Sequence, residues 1–271
     1  MNRLGIEHIS VFGLPPVEFV DLAADLGCQY IAIALTPIDI NPHRYPPYSL
    51  RDDPALRRDM MAAMDHRGVS MSLGEGFAVR PNADVRNLAA DIDIMCELGA
   101  MRLNTVSMDP DLDRSFDQFA ALAEMAGAAG LNLGLEFAPG MSVGDLPSAL
   151  AAVRHVGRPN FQVTIDTMHL VRSGSGPADV AAADPDSFGY IQLNDVPLVS
   201  RFSSYMEEAM CERMVPGTGE LPLLDILAAL PRDLVIGIEV PLLSQAKTGV
   251  GPHDRLRPCI EAARNLLVQL N

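Results

Sequence analysis

The 271-residue sequence contains no tryptophan, a single lysine (Lys247) and four widely separated cysteines. Each shortage closes off a class of chemistry. A lone lysine in the stretch "SQAKTGV" argues against a Schiff-base mechanism, which needs a desolvated or cation-flanked lysine. Cys28, Cys96, Cys211 and Cys259 form no C-x-x-C pair, so neither a thiolate metal centre nor a redox pair is indicated. Cys28, Cys96 and Cys259 sit in apolar helical patterns and are expected to be buried free thiols. Positive charge is scarce, with 20 basic against 35 acidic residues and a net charge of −15. Such a surface repels phosphate backbones, which disfavours nucleic acid as a partner. No apolar run reaches the roughly 18 residues of a membrane span, and "MNRLGIEHIS" lacks the charged-then-apolar layout of a secretion signal. These features predict a cytoplasmic protein that does not engage a membrane. No G-x-G-x-x-G opens the first unit, which counts against a dinucleotide fold.

The chain also lacks a Pro/Gly/Ser linker, an internal repeat and a low-complexity tract, so one domain over 1–271 is expected. Hydrophobic residues make up 48% of it, enough for a substantial core. Short apolar runs at 4–11, 30–35, 69–73, 101–106, 131–136, 161–166, 188–193 and 234–239 read as strands. Helical patterns separate them at 16–26, 54–66, 84–98, 115–129, 143–156, 222–230 and 253–270. Eight strands, each followed by a helix or a loop in its place, predict an α/β fold of the (β/α)8 TIM-barrel type, with a doubly wound open sheet as the alternative. Two connections are long, 36–53 with four prolines and 194–220 with "RFSSYMEEAMCER". Connections of that length usually wall or cover a site.

Residues two apart on a strand share a face. In "LNLGLE" the leucines alternate with Asn132, Gly134 and Glu136. In "FQVTID" Val163 and Ile165 alternate with Gln162, Thr164 and Asp166, and in "LVIGIE" the aliphatics alternate with Val235, Gly237 and Glu239. Each strand therefore turns large aliphatics toward the helices and ends its other face in a carboxylate. Strand seven aligns the same way, with Gln192 on the inward face. The intervals from Glu136 to Asp166, to Gln192 and to Glu239 are 30, 26 and 47 residues, one βα unit each plus, in the last, the long loop. Three converging carboxylates repel unless a cation joins them. Glu136, Asp166, Gln192 and Glu239 are thus candidate ligands for one divalent cation. An all-oxygen set suits Mn²⁺ or Mg²⁺ better than Zn²⁺. Structural ion pairs with arginines are the simpler alternative.

The stretches "GLEFAP", "TIDTMH", "YIQLNDVP", "RMVPGTGE" and "GIEVP" resemble the xylose-isomerase-like TIM barrels, most closely at the motifs of hydroxypyruvate isomerases. The likeness spans roughly residues 130 to 241 and is weak over the first 100. It implies a metal held by the four residues above. It also implies that His169, in the D-x-x-H element, reaches the oxygens of a substrate and that Arg213 binds a carboxylate or hydroxyl. About fifteen extra residues between Pro197 and Arg213 depart from the hydroxypyruvate isomerase pattern and must reshape the pocket. The family's chemistry implies proton transfer beside a carbonyl, with Glu136 and Glu239 as acid and base, on a small sugar, keto sugar or hydroxy keto acid. A dehydratase of the 3-dehydroshikimate or inosose type is the rival. Endonuclease IV is disfavoured, since its histidine-rich three-metal site is hard to build from six histidines. A barrel that binds metal or sugar without turnover is a third reading. Family members commonly form dimers or tetramers, which extends to this chain by analogy alone.

Weaker candidates complete the set. His8, Glu75 and Asn104, near the ends of strands one, three and four, are expected to contact substrate. By parity His8 shares a face with Ile6, so a packed core histidine is an equal reading. His43 and Tyr45 are placed to cap the site. "GVGPHD" at 249–254, before the last helix, is a weak phosphate-binding signal.

Overall fold

The computed structural model describes residues 3–270. Eight parallel strands close on themselves: β1 (Leu4–Glu7), β2 (Tyr30–Ala34), β3 (Ser70–Val79), β4 (Arg102–Ser107), β5 (Asn132–Glu136), β6 (Phe161–Asp166), β7 (Phe188–Leu193) and β8 (Ile236–Ile238). Closure is made by β8 against β1, with Leu4 beside Ile236 and Ile6 beside Ile238. The fold is the single-domain (β/α)8 barrel, and closure removes the open doubly wound sheet. The first helices are α1 (Pro16–Asp25), α2 (Pro54–Arg67), α3 (Ala89–Glu97), α4 (Leu112–Ala128), α5 (Leu146–Val156) and α6 (Thr167–Arg172). The rest are α7 (Pro177–Ala182), α8 (Tyr205–Cys211), α9 (Leu223–Ala229), α10 (Leu243–Lys247) and α11 (Pro252–Gln269). No described helix is long and apolar enough to cross a membrane.

Two apolar shells follow from strand parity. Leu133, Leu135, Val163, Ile165, Ile191, Leu193, Ile236 and Ile238 pack outward into the large core under the helices. The inward apolar cluster is small, namely Ala32, Leu73 and Tyr190 with Val235 against them. Polar groups therefore fill much of the lumen. Arg102 occupies the floor, where its guanidinium donates to Gln162 at 2.8 Å. A side chain at Gly189 would overlap that guanidinium, which gives this position its glycine.

The structure corrects several expectations. β1 stops at Glu7, and His8–Val11 form a 3-10 turn rather than strand. β3 runs ten residues to Val79, so Glu75 lies within the strand rather than after it. β8 is only three residues long, and Glu239 follows it. The 194–220 connection contains α8, and α6, α7 and α10 are further short helices that periodicity missed. Cys96 is exposed, because α3 buries Ile92 and Met95 and turns its neighbour outward.

Candidate active site

Strands β3 to β8 each bring a polar side chain to the C-terminal mouth, and local structure fixes several of them. β6 passes directly into α6, and Asp166 at the junction is the N-cap: its Oδ1 accepts from the His169 amide at 2.9 Å. A strand built for the interior can end in a charge here because a helix N-terminus receives it. Oδ2 of Asp166 accepts from Asn194 Nδ2 at 2.8 Å and from Arg213 Nη1. The same Arg213 nitrogen donates to Glu239 Oε2 at 2.8 Å. One guanidinium thus joins the tips of β6 and β8.

Backbone pairing puts Arg213 there. Its amide donates to Pro241 O at 2.9 Å, and the next amide, of Met214, donates to Asp195 O at 2.8 Å. The chain before and after is fastened as well. Glu212 bridges to Leu242, and the buried Asp195 carboxylate accepts from the amides of Gly217, Gly219 and Leu221 at 2.8, 2.9 and 3.1 Å. The "NDVP" and "PGTGE" stretches are therefore two halves of one brace that aims the arginine.

On the other side, Asn104 Nδ2 donates to Glu136 Oε2 at 2.5 Å and lies 3.3 Å from Glu75 Oε2. Thr164 in turn donates to Asn104 Oδ1 at 3.0 Å. His169 Nε2 stands 3.4 Å from Glu136 Oε1, and its Nδ1 is 2.5 Å from the hydroxyl of Tyr205 on α8.

A cavity of about 270 Å³ opens over this array. Its walls include His8, Glu75, Asn104, Glu136, His169, Arg213 and Glu239. Seven of the nine residues singled out as ligands or contacts thus meet at one cavity. The other two lie immediately behind it, Asp166 against His169 and Arg213, and Gln192 with Nε2 3.4 Å from Glu239 Oε1. His8 reaches the cavity because the chain leaves the extended conformation at that residue, so strand parity no longer governs it. His43, Tyr45 and the 249–254 segment do not line it.

Burial sets the protonation of the array. The buried carboxyl of Glu7 is pushed up to about 8 by desolvation, further raised by Glu136 and Asp166 and opposed by a 2.8 Å hydrogen bond from the Tyr190 hydroxyl. Glu75 is raised well above the ordinary carboxylate range by burial and then by Glu136 and Glu7. Burial also lowers His8 to about 4, against the pull of Glu136. Asp166 and Glu239 share Arg213 unequally. Asp166 loses hydration on burial, yet Arg213, His169 and its hydrogen bonds hold it well below the usual range. Glu239 is raised, by burial first, with Arg213 opposing and Asp166 and Glu136 adding to the rise.

The fit to a cation can be judged from these atoms. Ligand atoms of Glu136, Asp166 and His169 lie within 4.8 Å of one another, and Gln192 Oε1 is a buried acceptor with no donor. An unpaired carbonyl oxygen beside carboxylates is what a cation ligand leaves when no ion is present. Among the described residues Arg213 is the one arginine or lysine paired with Asp166 and Glu239, fewer positive charges than negative ones. The donor set suits a divalent cation.

A xylose isomerase-like TIM barrel family model matches residues 20–259. The chain belongs to that family. Among solved structures, the IOLI protein with a binding zinc atom superposes with a TM-score of 0.82 at 16% identity, over 99% of both chains. A xylose isomerase domain protein from Alicyclobacillus acidocaldarius gives 0.75 at 19% identity, again over 99% of both. D-psicose 3-epimerase from Clostridium cellulolyticum H10, solved with D-tagatose, gives 0.72 at 16% identity over 98% of this chain and 99% of the other. At such identities the likeness establishes the fold. No curated protein matches the sequence.

Three residues of the array escaped the sequence reading. Glu7 carried a usable signal: "GIE" at 5–7 has the same Gly-x-Glu spacing on the inward face as "GLE" at 134–136 and "GIE" at 237–239. The inward Gly237 is what admits it, since a side chain there would overlap the Glu7 carboxylate. Asn194 lies one residue past β7, where parity ends. Tyr205 lies on α8, and its contact with His169 depends on docking that no local pattern encodes.

Proposed function

We infer that the protein is a divalent-metal-dependent isomerase or epimerase that moves a proton beside the carbonyl of a small sugar, keto sugar or hydroxy keto acid. The observation that carries this reading is that ligand atoms of Glu136, Asp166 and His169 lie within 4.8 Å of one another beside a cavity that Glu136, His169 and Glu239 line, with the buried Gln192 Oε1 unpaired. Family membership supports it, since the family includes isomerases and epimerases. Glu136, Asp166, Gln192 and Glu239 would hold the cation, and Mn²⁺ or Mg²⁺ suits their oxygens better than Zn²⁺. A bound cation supplies positive charge that keeps the carboxylates ionised and stabilises negative charge growing on substrate oxygens.

The protein's own groups do the rest. Glu136 ends β5 and Glu239 follows β8, three strands on, and both line the cavity. One removes the proton beside the carbonyl and the other returns one at a different carbon or face. His169, held by Tyr205, and Arg213, held by the brace, orient the substrate oxygens. The neutral His8 adds a hydrogen-bonding group that carries no charge near neutral pH.

A second reading rests on Glu75. A partly buried carboxyl at the cavity wall, pushed toward its protonated form by desolvation and by Glu136 and Glu7, suits the acid that releases a hydroxyl as water, which is dehydratase chemistry. Deuterium exchange followed by NMR across keto sugars and keto acids, with Mn²⁺ or Mg²⁺ present, separates the two. Proton transfer alone gives exchange and an isomeric product, whereas elimination gives a conjugated product that absorbs in the ultraviolet. Replacing Glu239 with Gln is expected to lower the exchange rate by about 10²–10⁴-fold with circular dichroism unchanged. Exchange at the parental rate would remove Glu239 from the mechanism.

A further inference from the structure

We propose that the substrate has an apolar end, and that α8 with the residues beyond β4 forms the surface that selects it. This assignment rests on the metal-and-carbonyl head group inferred above and concerns the opposite end of the same cavity. The polar residues gather at the barrel mouth, and the wall becomes apolar moving away from it. Along β4 the alternation runs from Asn104, which touches Glu136, to Val106 and then to Met108 just past the strand. Each step of two residues on one face rises about 7 Å.

Helix α8 closes the far side and has two distinct faces. Tyr205 and Glu208 hold it to α6: the Tyr205 hydroxyl reaches His169, and the Glu208 carboxylate accepts from Arg172 at 3.2 Å. Arg172 also donates to Pro197 O at 2.5 Å. Met206 and Met210 are one helical turn apart on the other face and line the cavity, where Met141 joins them. Arg80 is the charged exception, and its Nη1 lies against Met108 Sδ at 3.1 Å. A substrate hydroxylated along its whole length would bury hydroxyls against methionine and valine with no partner, which is unfavourable. An alkyl or aryl group would lose water-exposed surface instead, and flexible thioether side chains adapt to its shape.

The test is calorimetric binding to the Mn²⁺-loaded protein of three probes with the same hydroxymethyl ketone head. Two carry an ethyl and a butyl tail. The third, erythrulose, has the ethyl compound's skeleton with a hydroxyl on each tail carbon. The butyl compound is expected to bind about tenfold tighter than the ethyl one, from two added methylenes, and erythrulose more weakly than the ethyl one. Met206→Gln and Met210→Gln should each reduce the butyl advantage. Met206 is 40% exposed, so its replacement preserves folding even where that of Met210 does not. Equal affinities for the ethyl and butyl compounds, tighter binding of erythrulose, or no binding of any probe would overturn the assignment. Solvent deuterium exchange on the same samples keeps the two ideas separate. A tail gradient without exchange refutes the isomerase reading alone, and exchange without a gradient refutes the apolar end alone.

Discussion

The two sides of the barrel mouth solve the same electrostatic problem differently. At β6 and β8 the acids are compensated by a cation, since Arg213 donates to both Asp166 and Glu239 and Asn194 adds a further donor. At β1 and β3, Glu7 and Glu75 make no ion pair among the described residues. They are instead pushed toward the protonated form, with a tyrosine hydroxyl and an asparagine amide as their neighbours. Asp166 keeps its charge beside Arg213, Glu239 stays raised by burial although it shares that guanidinium, and Glu7 and Glu75 are shifted up with no counter-charge at all. Asp166, where charge is kept, stands with Glu136 and His169 in the part fitted to recruit a cation. The side that surrenders charge is fitted to donate protons or hydrogen bonds.

The sharpest break of this contrast is to remove the shared cation. Arg213→Met leaves Asp166 and Glu239 buried without a counter-charge and is expected to destabilise the metal-free protein by about 3–5 kcal/mol in urea unfolding. Added Mn²⁺ should recover much of that loss, because an ion that binds only the folded state stabilises it. A loss under about 1 kcal/mol would mean that Arg213 does not compensate the pair.

The protonated side predicts an opposite pH behaviour. Glu7 binds its proton more tightly when folded, at about 8 against an ordinary 4.5. Its contribution is therefore fully present below pH 4.5 and is lost as pH rises through about 8. Glu7→Gln should remove that component and flatten stability across the interval in chelator-treated protein. An unchanged pH slope would show that Glu7 is already ionised in the fold. The smallest effect concerns the link between the sides. Tyr205→Phe removes the hydroxyl that holds His169 and should cost about 1 kcal/mol, with a larger proportional loss in the exchange rate than in binding. No change in either would make the contact incidental.

The same division marks what could be read from sequence. On β5 and β6 the acids end regular alternations, Glu239 continues that of β8 by one residue, and on β7 the same register identifies Gln192, so counting by two was sufficient. On the other side the backbone departs from regularity. His8 lies in a 3-10 turn, and β3 shifts register between Gly74 and Phe77. Parity therefore left His8 open between the pocket and the core and could not align Glu75. Glu7 lay within reach of the method, because the Gly-x-Glu spacing on β1 repeats that of β5 and β8. The roof was beyond it, because α8 acquires its role from docking onto α6 through Tyr205 and Glu208. The barrel itself was legible from the alternation of strands and helices, with errors at strand ends and in the short helices.

Anomalous scattering from Mn²⁺-soaked crystals should place a single peak among the carboxylate oxygens of Glu136, Asp166 and Glu239 and the amide oxygen of Gln192. No peak there, with Arg213 still joining Asp166 to Glu239, would leave a structural ion pair in place of a metal centre.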